Sequence, residues 1–387
     1  MNDATSHSER RDFARIVLGG DVMIGRGIDQ VLPHPCPPRL YEGYVKSAMD
    51  YVHLAETVDG TIPKPVAPSY VWGEALCALD HLQPDLRIVN LETAVTRSED
   101  AEPKGINYRV SPENAECLAA ARIDCCILAN NHVLDWGRAG LSESLETLHR
   151  MKIRTAGAGQ DLARARAPAV LDLGEGCRVL VFAFACPDSG VPRHWAATDG
   201  RAGVNLLPDL SQDALGEAAS NIRRAARPGD IVIVSVHWGP NWGYDVPADE
   251  RRFARGLVDE AGAAIVYGHS SHHPKPIEVH GGRVILYGCG DLLNDYEGIA
   301  GYEEFRSDLA LLYVVDVTRA TGRLAALHMI PMRIHRFRLR SASDVDTDWL
   351  ASRLNLETHA FGTIVSLNGD GSLRLSWRDS SPPDPSD

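Results

Sequence analysis

Short runs rich in valine, isoleucine and leucine, bounded by glycine, asparagine, aspartate or histidine, constrain this chain more than any other feature. They are Ile16 to Leu18, Leu86 to Val89, Cys125 to Leu128, Val179 to Phe184, Ile231 to Val236, Ala263 to Tyr267 and Val284 to Tyr287. A strand that is apolar at every position is covered on both faces, as in mostly parallel sheets flanked by helices. Segments with helical periodicity lie between several of the runs, at Leu141 to Met151, Asp213 to Ala226 and Asp249 to Ala261. The alternation predicts an α/β fold. With 387 residues and 44% hydrophobic content the chain can bury a large core, as one large domain or two smaller ones.

The formal net charge of −13 argues against nucleic acid or an anionic membrane as partner, because both need a cationic face. The N-terminal MNDATSHSERRDFARIVLGGD carries no apolar signal-peptide core, and no later stretch runs to the ~18 apolar residues of a membrane span, so a cytoplasmic location is expected. The eight cysteines, at 36, 77, 117, 125, 126, 177, 186 and 289, form no Cys-x-x-Cys pair and are expected to be reduced and outside the chemistry. Residues 1–15 read as a polar arm and 16–340 as the catalytic domain. The Pro- and Tyr-rich stretch 33–68 reads as an insertion or long loop, and 341–387 as an extension whose acidic tail, SSPPDPSD, is low-complexity and expected to be disordered.

Residues of metal-ligand type recur where the strands end. Gly20-Asp21-Val22-Met23 follows IVLG, Asn90-Leu91-Glu92 follows LRIV, Asn130-Asn131-His132 follows CCILA, His237-Trp238-Gly239 follows IVIVSV, and Gly268-His269-Ser270-Ser271-His272-His273 follows AAIVY. In open α/β sheets ligands bind at the carboxyl ends of the strands, so these segments would converge on one crevice. Any one of them has an ordinary explanation, an aspartate capping a helix or a histidine satisfying a carbonyl. Their combination points to a metal site. Oxygen and imidazole donors without cysteine suit Mn2+, Ca2+, Zn2+ or Fe2+, and two such ions ~3.5–4 Å apart would need a bridging carboxylate.

The segments GDVMIGRG, IVNLETAVT, ANNHVLDWGRAGL, VHWGPNW and GHSSHHPKPIEVHGGRVILYGCGDLLNDYEG resemble, in the same order, the signature blocks of the CapA family, named for poly-γ-glutamate capsule synthesis. The resemblance spans roughly Ile16 to Val315. It implies the four-layer αββα sandwich of calcineurin-like metallophosphatases. By the same resemblance Asp21 is the first-strand aspartate, Glu92 the bridging carboxylate, Asn131 the asparagine of the Asn-His pair and His132 the imidazole beside the metals. His237 is then the fourth-block ligand, and His269 with His272 the final pair. Asp135, three residues past His132, is placed to orient that ring. Two departures stand out: Met23 occupies the position of the usual Asp-x-His histidine, and GHSSHH leaves His272 and His273 competing for one role.

Arg26 could hold a substrate carboxylate bidentately, or pair with Asp29, or lie on the surface. Asp291, Asn294, Asp295 and Tyr296 would sit near the rim, with helix capping as the alternative for Asp291. Trp195, Trp238 and Trp242 could wall an aromatic or peptide substrate, core packing being the safer expectation for Trp238. CapA-like proteins in capsule synthesis are generally anchored or exported, whereas cytosolic proteins that resemble the family act as lasso-precursor tryptophan epimerases. The resemblance therefore implies a metal-dependent peptide epimerase: the C-terminal carboxylate of a precursor peptide lies on the metals, His132 backed by Asp135 exchanges the Cα proton, and His273 or Asp295 serves the other face. The alternatives are a hydrolase of phosphoester or γ-glutamyl bonds, a role in poly-γ-glutamate synthesis, and a non-catalytic binding protein on a decayed scaffold.

Overall fold

Two sheets stacked face to face, with helices on their outer sides, build a four-layer αββα sandwich in the computed structural model, which describes residues 12–378. The strand Arg178–Ala185 shows why the layers form. Val179, Val181 and Ala183 enter the core between the sheets, and the alternate residues Leu180, Phe182 and Phe184 pack beneath the helices Gln212–Ala225 and Ala248–Asp259. A strand apolar at every position has two faces to cover, and its period of two delivers one to each layer.

The smaller sheet has six strands in the order Ile277–His280, Arg283–Leu286, Ile265–His269, Ile231–His237, Arg178–Ala185 and Ala169–Asp172. Its centre is parallel, with Ile231–His237 flanked by Arg178–Ala185 and Ile265–His269. The larger sheet has ten strands and places Phe13–Val22 at the join between two halves. On one side Leu86–Leu91, Cys125–Ile127 and Arg154–Ala156 run parallel to it. On the other, Leu309–Thr318 pairs with it antiparallel, followed by Leu324–Ile334, Leu373–Trp377 and Thr363–Leu367. The expectation of mostly parallel sheets therefore holds for the centre of the smaller sheet and for one half of the larger.

Two boundaries read from composition also change. The stretch 33–68 contains the helix Ala48–Asp59, capped by the Ser47 side chain, with Tyr51, Val52 and Ala55 buried. Position 340 is no domain edge, because the helix Asp344–Thr358 and the strands after it extend the larger sheet. The helix starts from a capping box in which Ser343 and Asp346 satisfy each other's backbone amides. The polar arm lies largely outside the described residues, with the first strand beginning at Phe13, and the expected disordered tail 380–387 lies outside them too. All the cysteines are free, and all but Cys77 are buried. Among the described residues no helix is long and apolar enough to cross a membrane.

Candidate metal centre

The strands deliver their polar ends to one place. His237 and His269 are register partners on neighbouring parallel strands of the smaller sheet. On the larger sheet Asp21 is the register partner of Asn90 on one side and Asp291 on the other. The register slips between Asp21 and Val22, an irregularity of the kind that re-aims a side chain at a strand end. Gly20 makes the close approach possible: a Cβ there would lie 1.8 Å from the carbonyl oxygen of Gly290.

One oxygen or nitrogen each of Asp21, Glu92 and His237 lie within 4.8 Å of one another, and all three residues are buried. Asp21 Oδ1 is 2.7 Å from His269 Nδ1 and accepts from Asn90 Nδ2 at 2.8 Å, while the same amide donates to Glu92 Oε2 at 2.5 Å. Asn130 holds Asn90 in turn, donating to its Oδ1 at 3.0 Å, and accepts the backbone amides of His132 and Val133. Asp21 Oδ2, Asn131 Oδ1, His269 Nε2 and both nitrogens of His237 are buried without a hydrogen-bond partner. Buried polar atoms are almost always satisfied. Lone-pair donors left bare on separate segments fit a divalent cation, and an oxygen-and-imidazole set suits Zn2+, Mn2+ or Fe2+.

The charges make the same case. Burial, then the charges of Asp21 and Asp291, raise Glu92 far above the usual carboxylate range. Burial would raise Asp21 as well, but the hydrogen bond and charge of His269 bring it down to about 2. Burial depresses His237 to about 3, so its imidazole is neutral and able to coordinate. A second group, Asp59, Glu297 and His335, also brings its donor atoms together but differs in its wiring. Both Glu297 oxygens accept backbone amides, from Arg336 and Phe337, two residues held at positive φ, and His335 Nδ1 meets Asp59 at 3.2 Å.

Two histidine–aspartate dyads accompany the centre. His132 Nδ1 lies 2.6 Å from Asp135 Oδ2, and that oxygen also accepts the Tyr108 amide at 2.6 Å. His272 Nδ1 lies 2.9 Å from Asp291 Oδ1, whose other oxygen accepts from Asn294 Nδ2 at 2.8 Å. A pair of tyrosines links the dyads. Tyr108 stacks on His132 with centroids 4.0 Å apart, its hydroxyl is 3.0 Å from that of Tyr296, and Tyr296 meets His272 edge-on at 5.4 Å. The environments differ in sign: burial lowers His132 to about 4, whereas for His272 the depression by burial is outweighed by Asp291, which raises it.

The structure brings Asp21, Glu92, His237 and His269 together and sets His132 against Asp135. Of the competing histidines, His272 joins Asp291, its Nε2 lying 3.0 Å from the Asn241 amide. His273 offers no free imidazole: Nε2 accepts from Gly243 N and Nδ1 faces the Pro274 carbonyl, among Trp242, Tyr244 and Phe305. Asp295 is no free rim carboxylate either, since it binds the Arg26 guanidinium through both oxygens and the Gly27 amide. Arg26 pairs with Asp295 and Glu42, not Asp29, and lies over Tyr51, so it is not available to clamp a carboxylate. Trp195 and Trp238 are buried, whereas Trp242 is half-buried and stacks on Tyr302 at 4.1 Å. Asn90, Lys104 and Tyr108 belong to the site without having been given a role from sequence, and Asp291, expected near the rim, is the partner of His272. Asn90 and Asp291 stood inside the quoted blocks, but Lys104 and Tyr108 had no signal beyond a polar loop.

The family described as "Bacterial capsule synthesis protein PGA_cap" matches residues 15–296, which include every donor and both dyads. The chain belongs to that family. Among its relatives, a "Probable polyglutamine synthesis accessory protein" of Mycobacterium tuberculosis is 46% identical over 366 residues, covering 94% of this chain and 96% of that protein. The "PGA biosynthesis protein CapA" of Bacillus subtilis is 29% identical over 249 residues, 64% of this chain and 60% of that protein. The "Capsule biosynthesis protein CapA" of Bacillus anthracis is 25% identical over 192 residues, 50% and 45% respectively. The PGA_cap match stops at Tyr296, so the segment Glu297 to Asp308 and the C-terminal strands lie outside it.

Proposed function

We propose that this PGA_cap protein is a metal-dependent enzyme that exchanges the α-proton at the C-terminal residue of a peptide and so inverts it. The observation that carries this reading is the pair of histidine–aspartate dyads, one imidazole held neutral and the other biased toward its cation. Inversion at carbon needs one group to take a proton and another to return it on the opposite face, and groups whose environments push them apart in pKa divide those roles. His132, with Nδ1–H donated to Asp135, presents Nε2 as the base. His272, charged against Asp291, is the acid, and the roles reverse for the other stereoisomer. Divalent cations held by Asp21, Glu92, Asn131, His237 and His269 would supply the positive charge that acidifies a C–H bond next to a carboxylate.

A cleft of about 510 Å³ that includes His272, Tyr108 and Tyr296 in its wall supports a peptide as substrate. Tyr44, Trp242 and Tyr302 line it further out. Its arginines are already engaged: Arg26 by Asp295 and Glu42, Arg306 by Asp308 and Asp346, and Arg333 by Asp308. Such a cleft suits a chain end whose side chain is uncharged and ring-bearing better than a polyanion, which would need free cations along its path.

The test is to incubate the metal-loaded protein with peptides ending in an aromatic residue in heavy water. Deuterium at the α-carbon of an inverted C-terminal residue is the expected result. Release of phosphate or of an amine from ester and γ-glutamyl substrates, with no α-deuterium in any peptide, would replace this reading with hydrolysis. Protein that takes up no divalent ion would leave a binding role.

A further inference from the structure

We propose that Lys104 is the positioning residue of the His132–Asp135 dyad, holding the imidazole with Nδ1 toward Asp135 and Nε2 free. The inference rests on the proposed role of His132 as acid and base. Lysine in a polar loop is ordinarily a solvated surface charge, but here the side chain is turned inward. Its ammonium meets Asp135 Oδ1 at 2.7 Å as an ion pair off the hydrogen-bond axis, bonds to the carbonyl of Asn131, and lies 3.4 Å from His132 Nδ1. The indole of Trp195 closes the remaining side, with its centroid 5.1 Å from the ammonium.

The segment that carries Lys104 is fastened at several points. The Glu102 amide donates to the Asp135 carbonyl at 2.8 Å, and the Asn107 side-chain amide donates to the carbonyls of Glu102 and Asp135. The Lys104 amide closes back on Glu102, and Gly105 takes a positive φ of 89°. From the other sheet's loop, His194 Nε2 reaches Glu102 Oε1 at 2.5 Å. These bonds place the ammonium rather than follow from it.

The consequence is mechanical. Asn131 and Asp135 are the two ends of the turn that carries His132. One contributes an unpartnered oxygen to the metal centre and the other orients the ring. Lys104 ties both ends together. Asp135 is then held at three points, by His132 and the Tyr108 amide on Oδ2 and by Lys104 on Oδ1. Removing the ammonium leaves Asp135 Oδ1 buried without a counter-charge and frees the carboxylate to turn, and the ring turns with it.

The experiment uses the full chain loaded with Zn2+ or Ca2+ and labelled with 15N-histidine. His132 is assigned by the loss of its ring signals in His132→Asn. The wild type is expected to show the Nδ1–H tautomer with a low-field proton. Lys104→Met should lose that proton or mix the tautomers. In a Cys77→Ser background, Lys104→Cys alkylated with 2-bromoethylamine, which restores an ammonium at the same reach, should recover it. Alongside, kcat for α-proton exchange should fall roughly 10- to 100-fold in Lys104→Met with KM unchanged, and return on alkylation. An unaltered His132 tautomer in Lys104→Met overturns the proposal, whatever happens to turnover. A KM rise without a tautomer change would make Lys104 a substrate contact instead and overturns it equally. If the tautomer responds as expected but no form of the protein exchanges an α-proton, Lys104 stands as the positioning residue and the assigned reaction fails.

Discussion

Asp21 and Asp291 stand side by side as register partners on parallel strands, each carboxylate facing its own histidine, Asp21 with His269 at 2.7 Å and Asp291 with His272 at 2.9 Å. Both acids are buried, and nothing but glycine fits the contact that holds them there. Gly20→Ala should therefore destabilise the protein by about 1–3 kcal/mol through overpacking and weaken metal binding at the same time. Urea denaturation and calorimetric titration would show both losses. Unchanged affinity in a folded Gly20→Ala variant would detach the strand contact from the centre.

Metal binding should release protons, and the stability it adds should grow with pH. Glu92 is raised above its unfolded value of 4.5, so the metal-free fold retains a proton that the unfolded chain gives up, and stability is lost as pH climbs through the folded value. His237 and His132, depressed to about 3 and about 4, have the opposite sign: their contribution is present above the unfolded value of 6.5 and lost as pH falls toward those values. A divalent ion held at the centre would replace the Glu92 proton. The rise in Tm on adding saturating Zn2+ or Mn2+ should thus be larger at pH 8 than at pH 6, and an equal rise at both would contradict the charge assignment.

His132→Gln and His272→Gln should each lower α-proton exchange by roughly 10²–10⁴-fold, the usual worth of a positioned acid or base, without abolishing metal uptake. Exchange at the wild-type rate in either variant would remove that imidazole from the reaction.

Arg26 and Trp242 both line the cleft, yet the structure separates their roles. Arg26→Met leaves Glu42 and Asp295 buried without their cation and should cost about 3–5 kcal/mol of stability. Trp242→Ala, from a half-buried position, should raise KM for an aromatic-ended peptide by the equivalent of about 1 kcal/mol while leaving the midpoint of unfolding nearly unchanged. The reverse pattern, a stable Arg26→Met with raised KM, would return Arg26 to substrate binding.

What was legible in the amino acids follows the physics of each element. Asp21, Glu92, Asn131, His237 and His269 could be read because each follows a short, mostly apolar run, and parallel strands expose their carboxyl ends at a common edge. Of the long antiparallel strands, Leu309–Thr318 opens with an equally apolar run, Leu309 to Val315, whose antiparallel direction its composition does not declare, and Leu324–Ile334 had no such mark. The second alternates buried and exposed positions and carries His328 and Arg333, a weaker pattern than a continuous apolar run. Asp291 was read with helix capping as its alternative, but it begins the strand Asp291–Leu293 instead. Choosing between His272 and His273 needs the backbone: Ser270 has a φ of +91°, and the turn it makes sends one ring toward Asp291 and its neighbour into the aromatic cluster. Lys104 was out of reach because its partners lie 27 to 31 positions away across a loop with no periodicity.

The strand that carries Asp21 lies between Leu86–Leu91 and Leu309–Thr318, with Asp291–Leu293 against its end. During synthesis that first strand must wait for segments nearly three hundred residues downstream, and contacts so distant along the chain form slowly. A nascent chain can close Asp21 against Asn90 long before Asp291 has been made. Any ion that the centre holds could thereby be acquired only once the last third of the polypeptide, which brings His269 and Asp291, is emerging, and a prematurely terminated product would present acidic and imidazole side chains with no finished pocket to gather them.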